Sequence, residues 1–203
     1  SFAQASEVAV LDPDDVRIPQ GKVHVDNLDG NIESRSLFHG TTATGAADTS
    51  TYVYDALGQL TRMGDGANLW TWTYDAAGRE TGATDPDSGT RSTTYDAAGR
   101  TKTTTDAMGT VTTYAYDKLD RPTAKTVSVG GGAAKTLETR TYDGELKGMP
   151  TSSTRNNGAA FDQPVVTTYS DYNNAYQPGS TTITLPTTMS GLNGSYTTTR
   201  FLP

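Results

Sequence analysis

Four Tyr-Asp pairs recur at near-constant spacing: Tyr54-Asp55, Tyr74-Asp75, Tyr95-Asp96 and Tyr116-Asp117, separated by 20, 21 and 21 residues. A period of that length identifies a stacked supersecondary unit that cannot bury its own surface alone. It also frames the functional question, because a repeat array presents an extended surface or scaffold more readily than a catalytic pocket.

The motif itself encodes a turn. The copies read Tyr54-Asp55-Ala56-Leu57-Gly58-Gln59, Tyr74-Asp75-Ala76-Ala77-Gly78-Arg79, Tyr95-Asp96-Ala97-Ala98-Gly99-Arg100 and Tyr116-Asp117-Lys118-Leu119-Asp120-Arg121. An Asp side chain accepts a hydrogen bond from the backbone two residues on and starts a turn. Two ordinary residues then suit a type I turn, and the following Gly suits the left-handed position of a three-residue hairpin loop with a bulge. Asp120 replaces that Gly in the fourth copy, and Asp is one of the few other residues that visits this region. A second turn follows eleven residues after each Tyr, at Asp65, Asp85 and Asp106. Thr-rich stretches such as Thr101-Lys102-Thr103-Thr104-Thr105 lie between the turns, and β-branched Thr favours strands. No sustained i, i+3, i+4, i+7 apolar pattern calls for a helix. The expected fold is all-β, built from tandem antiparallel β-hairpins.

Along the chain, residues 1–22 read as an irregular lead-in and residues 23–203 as repeat segment. The clean copies span 51–127, and degenerate copies fill 23–50 and 128–203. Residues 40–50 look like a small-residue loop. Gly130-Gly131-Gly132 stands where a second turn is due and reads as a flexible connection. Tyr142-Asp143 comes 26 residues after Tyr116. Tyr172-Asn173-Asn174-Ala175-Tyr176-Gln177 is a worn copy, and Asn156-Asn157-Gly158 and Leu192-Asn193-Gly194 are further hairpin turns. No initiator Met is present and the last residues read as strand, so the expectation is a segment of a longer polypeptide with no internal domain boundary.

Composition narrows the function classes. Only 33% of residues are hydrophobic and mean hydropathy is −0.57, so the expected sheet is wet over much of its surface. Net charge is −7, with no basic stripe of the kind nucleic-acid binders carry. No apolar run of about 20 residues offers a membrane-spanning helix. The absence of cysteine excludes disulfides and thiolate zinc sites.

The consecutive Tyr-Asp-x-x-Gly-Arg copies resemble the YD-repeat family, also called RHS repeats. The resemblance implies that the hairpins join edge to edge into one curved, spiralling sheet, part of a hollow β-shell. It is similar to bacterial polymorphic toxin shells, the Tc toxin cocoon and the teneurin YD shell. It further implies a structural, non-enzymatic wall segment of a secreted or cell-surface protein that encloses a C-terminal toxin or effector domain. The partners implied are the remaining repeats and that effector, within the same polypeptide. The family's self-cleaving aspartate motif has no match here, so no proteolytic residue is carried over.

Candidate sites weigh against simpler readings. Tyr52, Tyr54, Trp70, Trp72, Tyr74, Tyr95, Tyr114 and Tyr116 fall mostly in pairs two apart, on one strand face. They read first as an aromatic ladder across repeats. The alternative is a carbohydrate-binding module in which exposed Trp70 and Trp72 hold a cell-surface glycan. The row Asp55, Asp75, Asp96, Asp117 and Asp143 reads as turn nucleation rather than paired-carboxylate catalysis. Asp85-Pro86-Asp87-Ser88-Gly89 and the cluster Asp12, Asp14 and Asp15 begin like calcium loops but lack the later bidentate acid. His24 and His39 have neither a nucleophile motif nor metal-ligand spacing around them. No metal, cofactor or catalytic residue is assigned.

Overall fold

A computed structural model describes residues 6–8, 21–25, 31–38, 47–157, 162–189 and 191–200. The described residues form sixteen strands and no helix: β1 Ser6–Val8, β2 Gly21–Val25, β3 Ile32–Phe38, β4 Ala47–Tyr54, β5 Leu60–Asp65, β6 Asn68–Tyr74, β7 Glu80–Asp85, β8 Gly89–Tyr95, β9 Thr101–Thr105, β10 Val111–Tyr116, β11 Pro122–Ser128, β12 Lys135–Tyr142, β13 Pro150–Asn157, β14 Gln163–Tyr172, β15 Pro178–Leu185 and β16 Gly194–Thr199. Two compact units share them, Ser1–Thr93 and Thr94–Pro203. The Tyr-Asp motif runs through this division without change. Strands β1 and β2 fall at either end of the stretch read as a lead-in, and β4 takes in residues 47–50 of the expected loop. Asp12, Asp14, Asp15, His39 and the side chain of His24 lie outside the described residues.

Each unit is a meander. In the first, each strand pairs antiparallel with the next, from β1 to β8. In the second the same holds from β9 to β16. The all-β hairpin fold is therefore as the repeat implies.

The hairpins carry a bulge at a fixed place. Val53 faces Arg62 but Tyr54 faces Leu60, leaving Thr61 extra. The same slip leaves Thr81 extra beside Tyr74, Thr123 beside Tyr116 and Thr151 beside Tyr142. In β2–β3 it leaves Glu33 extra, which marks a degenerate copy upstream of the clean ones. Beside Tyr54, Tyr74 and Tyr116 the bulge follows from the loop: a type I turn closed by a left-handed residue opposes two residues to one.

Among the described residues neither unit has a covered core, and contacts between elements link only consecutive strands. Among the described residues Ala83, at 6% exposure, is the one buried hydrophobic side chain, and it sits across the ladder from Trp72. Cohesion comes from cross-strand pairs. Hydroxyls bond in pairs at Ser36–Thr49 (2.9 Å), Thr94–Thr103 (2.6 Å), Thr141–Ser152 (2.8 Å) and Thr182–Thr197 (2.7 Å). Ser152 faces Thr168, which faces Thr182, so one hydroxyl row crosses five strands from β12 to β16.

The left-handed turn residue is the point of backbone stress. Gly58 has φ +76° and an added Cβ would find its nearest atom 3.8 Å away. Space is therefore not the constraint. Gly58→Ala is expected to cost about 1 kcal/mol from backbone strain alone, read as a lower urea midpoint with an unchanged slope.

Candidate functional site

The repeated Tyr-Asp turn is the site at which hairpins are locked, first internally and then to each other. Internally, the Asp amide donates to the carbonyl four residues on, in Asp55–Gln59 (2.9 Å), Asp75–Arg79 (3.0 Å), Asp96–Arg100 (2.9 Å) and Asp117–Arg121 (3.0 Å). Oδ1 of the same Asp accepts two backbone amides. For Asp96 these are Ala98 (2.9 Å) and Arg100 (3.0 Å), and Asp55, Asp75 and Asp117 repeat the pattern. Gly58, Gly78 and Gly99 take φ of 76°, 79° and 84°, and Asp120 takes 63° in their place. The worn copy is the same turn: Asn173 accepts from Ala175 and Gln177, and Tyr176 adopts φ 60°. Asp106 builds it too, accepting from Met108 and Thr110.

Between hairpins, the lock is made by Tyr. Tyr54, Tyr74, Tyr95, Tyr116, Tyr142 and Tyr172 each end a strand. The Tyr74 hydroxyl donates to the carbonyl of Leu60 (2.8 Å), Tyr116 to Thr101 (3.0 Å), Tyr142 to Pro122 (2.8 Å) and Tyr172 to Pro150 (2.7 Å). Every acceptor is the first residue of the neighbouring strand. The backbone ladder has not begun there: β5 and β6 pair from Arg62, and β11 and β12 from Ala124. The phenol thus satisfies a carbonyl that the ladder leaves over. Pro fits at this position because a strand's first residue can dispense with its N–H. Burial, with help from Glu80 and Asp55, raises the pKa of Tyr74, which keeps that hydroxyl protonated as a donor.

The residue five after Tyr completes the joint. Arg100 donates from Nε to its own Asp96 (2.8 Å) and from Nη1 to Asp120 (2.6 Å) and the Asp117 carbonyl (3.2 Å). Arg121 binds its own Asp117 (2.7 Å) and grips Asp143 through both nitrogens (2.9 and 2.5 Å). Arg100 lies over the Tyr116 ring at 4.5 Å and Arg121 over Tyr142 at 4.3 Å. Gln59 makes a weaker version, donating to the Gly78 carbonyl (2.9 Å) and leaving its Oε1 buried without a partner.

This arrangement replaces the aromatic ladder the sequence suggests. Tyr-ending strands alternate with return strands, so successive rings stand about 10 Å apart, two strand spacings. Direct ring contact needs 4.5–7 Å between centroids. Arginine fills the gap. On the same principle Met63 stands between Tyr52 and Trp70 in the cross-strand row. Trp70 and Trp72 are both half-buried, and the Trp70 indole N–H donates to Asp85 Oδ2 (3.0 Å). Asp85 Oδ1 accepts from Asp87 and Ser88 (2.9 Å each). Both oxygens of Asp85, the first acid of the suggested calcium loop, therefore take protein donors. Among the described residues no three carboxylates or histidines gather as a metal set, and no helix is long and apolar enough to cross a membrane.

The carboxylates are held ionised. The Arg79 hydrogen bond lowers the pKa of Asp75, and Arg100 does the same for Asp96. Burial opposes the shift at Asp117, but bonds from the Arg121 backbone and side chain prevail. Asp143 lies well below the ordinary carboxylate range, through Arg121 and the Gly148 amide. Sequence reading found the Asp and Gly of this node but assigned Arg79, Arg100 and Arg121 no role. Their recurrence four residues after each Asp was the available signal.

Residues 95–133 match the family described as RHS Repeat. No curated protein matches the chain. Among solved structures, TcdB2-TccC3-TEV shares 21% identity at a TM-score of 0.63, over 86% of this chain and 9% of that one. A Photorhabdus luminescens Tc holotoxin pore carrying a TccC3 mutation gives 20% identity and a TM-score of 0.62, over 82% and 9%. TcdB2-TccC3-Cdc42 gives 22% and 0.53, over 80% and 9%. The chain thus spans about a tenth of the structures it matches.

Two measurements check the joint. Tyr116→Phe strands the Thr101 carbonyl and is expected to cost about 1 kcal/mol in urea unfolding. Because Asp75, Asp96, Asp117 and Asp143 have lower pKa values folded than unfolded, the unfolded chain binds more protons in acid. Their stabilisation is complete above the ordinary carboxylate pKa of about 3.9 and is lost as pH falls below it. Urea midpoints should stay level from about pH 7 to 5 and fall steeply below about 4, less steeply in Asp143→Asn. The Tyr-Asp array that the spacing announced thus matches RHS Repeat over residues 95–133, and its described strands share the fold of the TcdB2-TccC3 structures.

Proposed function

We propose that this chain is a non-catalytic stretch of wall in a longer RHS-repeat polypeptide. That polypeptide is secreted or displayed at the cell surface, and its curved sheet forms part of a hollow shell around an effector carried by the same polypeptide. One observation carries the reading: the described strands of both units form single-layered meanders without a covered core. A sheet of that kind is suited to extension, strand beside strand, and not to the closed pocket an enzyme requires. The likeness in fold supports it, since one of the matched structures is a Tc holotoxin pore and this chain matches 9% of it. The polar joints at every turn allow the sheet to stand between two aqueous compartments. The chain's acidic balance suits a basic cargo.

The reading makes edges the sticky feature. Among the described residues β16 pairs with β15 alone, and an unpaired edge templates further pairing. The Arg200 amide donates inward to Gly179 (2.7 Å). By strand alternation the Thr197 amide faces outward. Concentration-dependent association of the isolated chain by light scattering, reduced in Thr197→Pro with an unchanged circular dichroism spectrum, is the expected result. A monodisperse wild-type monomer at all concentrations would count against the wall.

A further inference from the structure

One motif hairpin, β14–β15, departs from the others. Its loop is regular: Asn173 caps the turn and Tyr176 takes the left-handed position. Elsewhere such a loop leaves the second residue of the return strand extra, at Thr61, Thr81 and Thr123, and the longer β12–β13 loop does the same at Thr151. In β14–β15 nothing is extra. Tyr172 faces Pro178 and Ser170 faces Ser180, so Asp171 and Gly179 stand opposite each other without pairing.

Two residues make the exception. Asp171 adopts φ 57° inside a strand, a conformation that is costly for a residue with a side chain. Its N–H leaves the ladder and donates to Glu145 Oε2 (2.7 Å), in the loop of the neighbouring hairpin. That loop is itself fastened: the Gly144 amide donates to Thr151 Oγ1 (3.0 Å) and the Gly148 amide to Asp143 Oδ1 (2.7 Å). Across the ladder, Gly179 occupies the position that Thr61, Thr81, Thr123 and Thr151 hold in the other hairpins. A Cβ on Gly179 would lie 2.7 Å from the Asp171 carbonyl oxygen. The left-handed Asp171 therefore needs an acceptor from outside its own hairpin and a glycine opposite.

The side chains of β15 do little to oppose another register. Ser180, Thr181, Thr182 and Thr184 put hydroxyls on both of its faces, and a strand polar on both faces specifies its register weakly. Were Gly179 extra, as Thr is elsewhere, Asp171 would face Ser180, and Thr168 would face Ile183 instead of Thr182. The hydroxyl row from β12 to β16 would break at β15. Ile183 would cross to that face and carry its β16 partner Tyr196 with it.

We propose that Glu145 is a register latch. It holds β14–β15 in the register of the structure, and its release moves β15 and β16 one residue along β14, into the slipped register that the motif takes elsewhere. The latch goes beyond the wall reading and holds whether or not the chain encloses an effector.

Engineered cysteine pairs read the register, in a chain that has no cysteine of its own. Thr168→Cys with Thr182→Cys reports the observed register, and Thr168→Cys with Ile183→Cys the slipped one, because opposed residues bring their Cβ atoms within disulfide reach. In a glutathione redox buffer the first pair is expected to close in preference to the second. Glu145→Ala should shift the ratio of the two disulfides at least about tenfold toward the second, the scale of a hydrogen bond to a charged group. Gly179→Thr should shift it the same way with Glu145 in place. Asp171→Gly added to Glu145→Ala should restore the first pair, since glycine takes the left-handed conformation unaided. A ratio unmoved by Glu145→Ala or by Gly179→Thr would overturn the proposal. So would a shift that Asp171→Gly fails to reverse, or loss of the sheet's circular dichroism in either variant, since the hairpin would then have no second register to enter.

Discussion

Strands whose described residues carry no second layer have to be held together from within the plane of the sheet. Hydrophobic burial normally supplies the dominant favourable term in folding, yet among the described residues only Ala83 is a buried hydrophobe. What remains is the backbone ladder, the cross-strand pairs and the margins where hairpins meet. The ladder runs along the strand pairs, with one slip between β11 and β12 that leaves Leu137 extra, but it stops short of the Tyr-bearing margin, where each bulge displaces the first residue of the return strand. That margin is where water would enter between hairpins. The Tyr hydroxyl and the Arg fork close it.

The joint works because its parts occupy different geometric roles. Asp Oδ1 is consumed by the turn's own amides. Its Oδ2 remains for the Arg side chain, as at Asp96 and Asp117. The guanidinium is planar and carries five donors in a fixed fork. One edge can bind its own Asp while another reaches the next turn, and its flat face lies on the next Tyr. Exposed ion pairs contribute little singly, but Arg121, with its side chain only 20% exposed, bridges Asp117 and Asp143 and is ordered by three partners at once. Gln59 shows what is lost without the fork. Its amide reaches one carbonyl of the next turn and leaves its own oxygen without a donor.

Hairpin architecture was legible because turns are local. Asp at the turn start and Gly or Asp at the left-handed position are constrained by a few bonds within five residues, so the motif predicts φ at Gly58, Gly78, Gly99 and Asp120 directly. Asn173 and Tyr176 were legible as a worn copy for the same reason. The joint was not, because its bonds span 14 to 22 residues: Tyr74 to Leu60, Arg121 to Asp143 and Tyr172 to Pro150. Pattern reading assigned the aromatics to one face correctly but paired them with each other, since it could not see that return strands intervene. Pro122, Pro150 and Pro178, each opening a strand, were a visible sign that the first residue of the return strand is special.

The irregular copies show which part of the unit is essential to cohesion. The steps from Tyr116 to Tyr142 and on to Tyr172 are 26 and 30 residues, against 20 or 21 in the clean array. The extra length goes into loops: Gly130 to Gly132 at one margin, and Asp143 to Met149 at the other, where Gly148 supplies the amide that caps Asp143 Oδ1 (2.7 Å). Across both insertions the phenol-to-carbonyl bonds persist, from Tyr142 to Pro122 and from Tyr172 to Pro150. Loop length costs little conformational entropy as it grows, whereas an unpaired carbonyl at a half-buried joint costs the desolvation of that group. The period is therefore free to drift, and the joint is not. A wall built this way can lengthen its turns at either margin, and so present new loops to whatever lies on each side, while the hairpins stay sealed to one another.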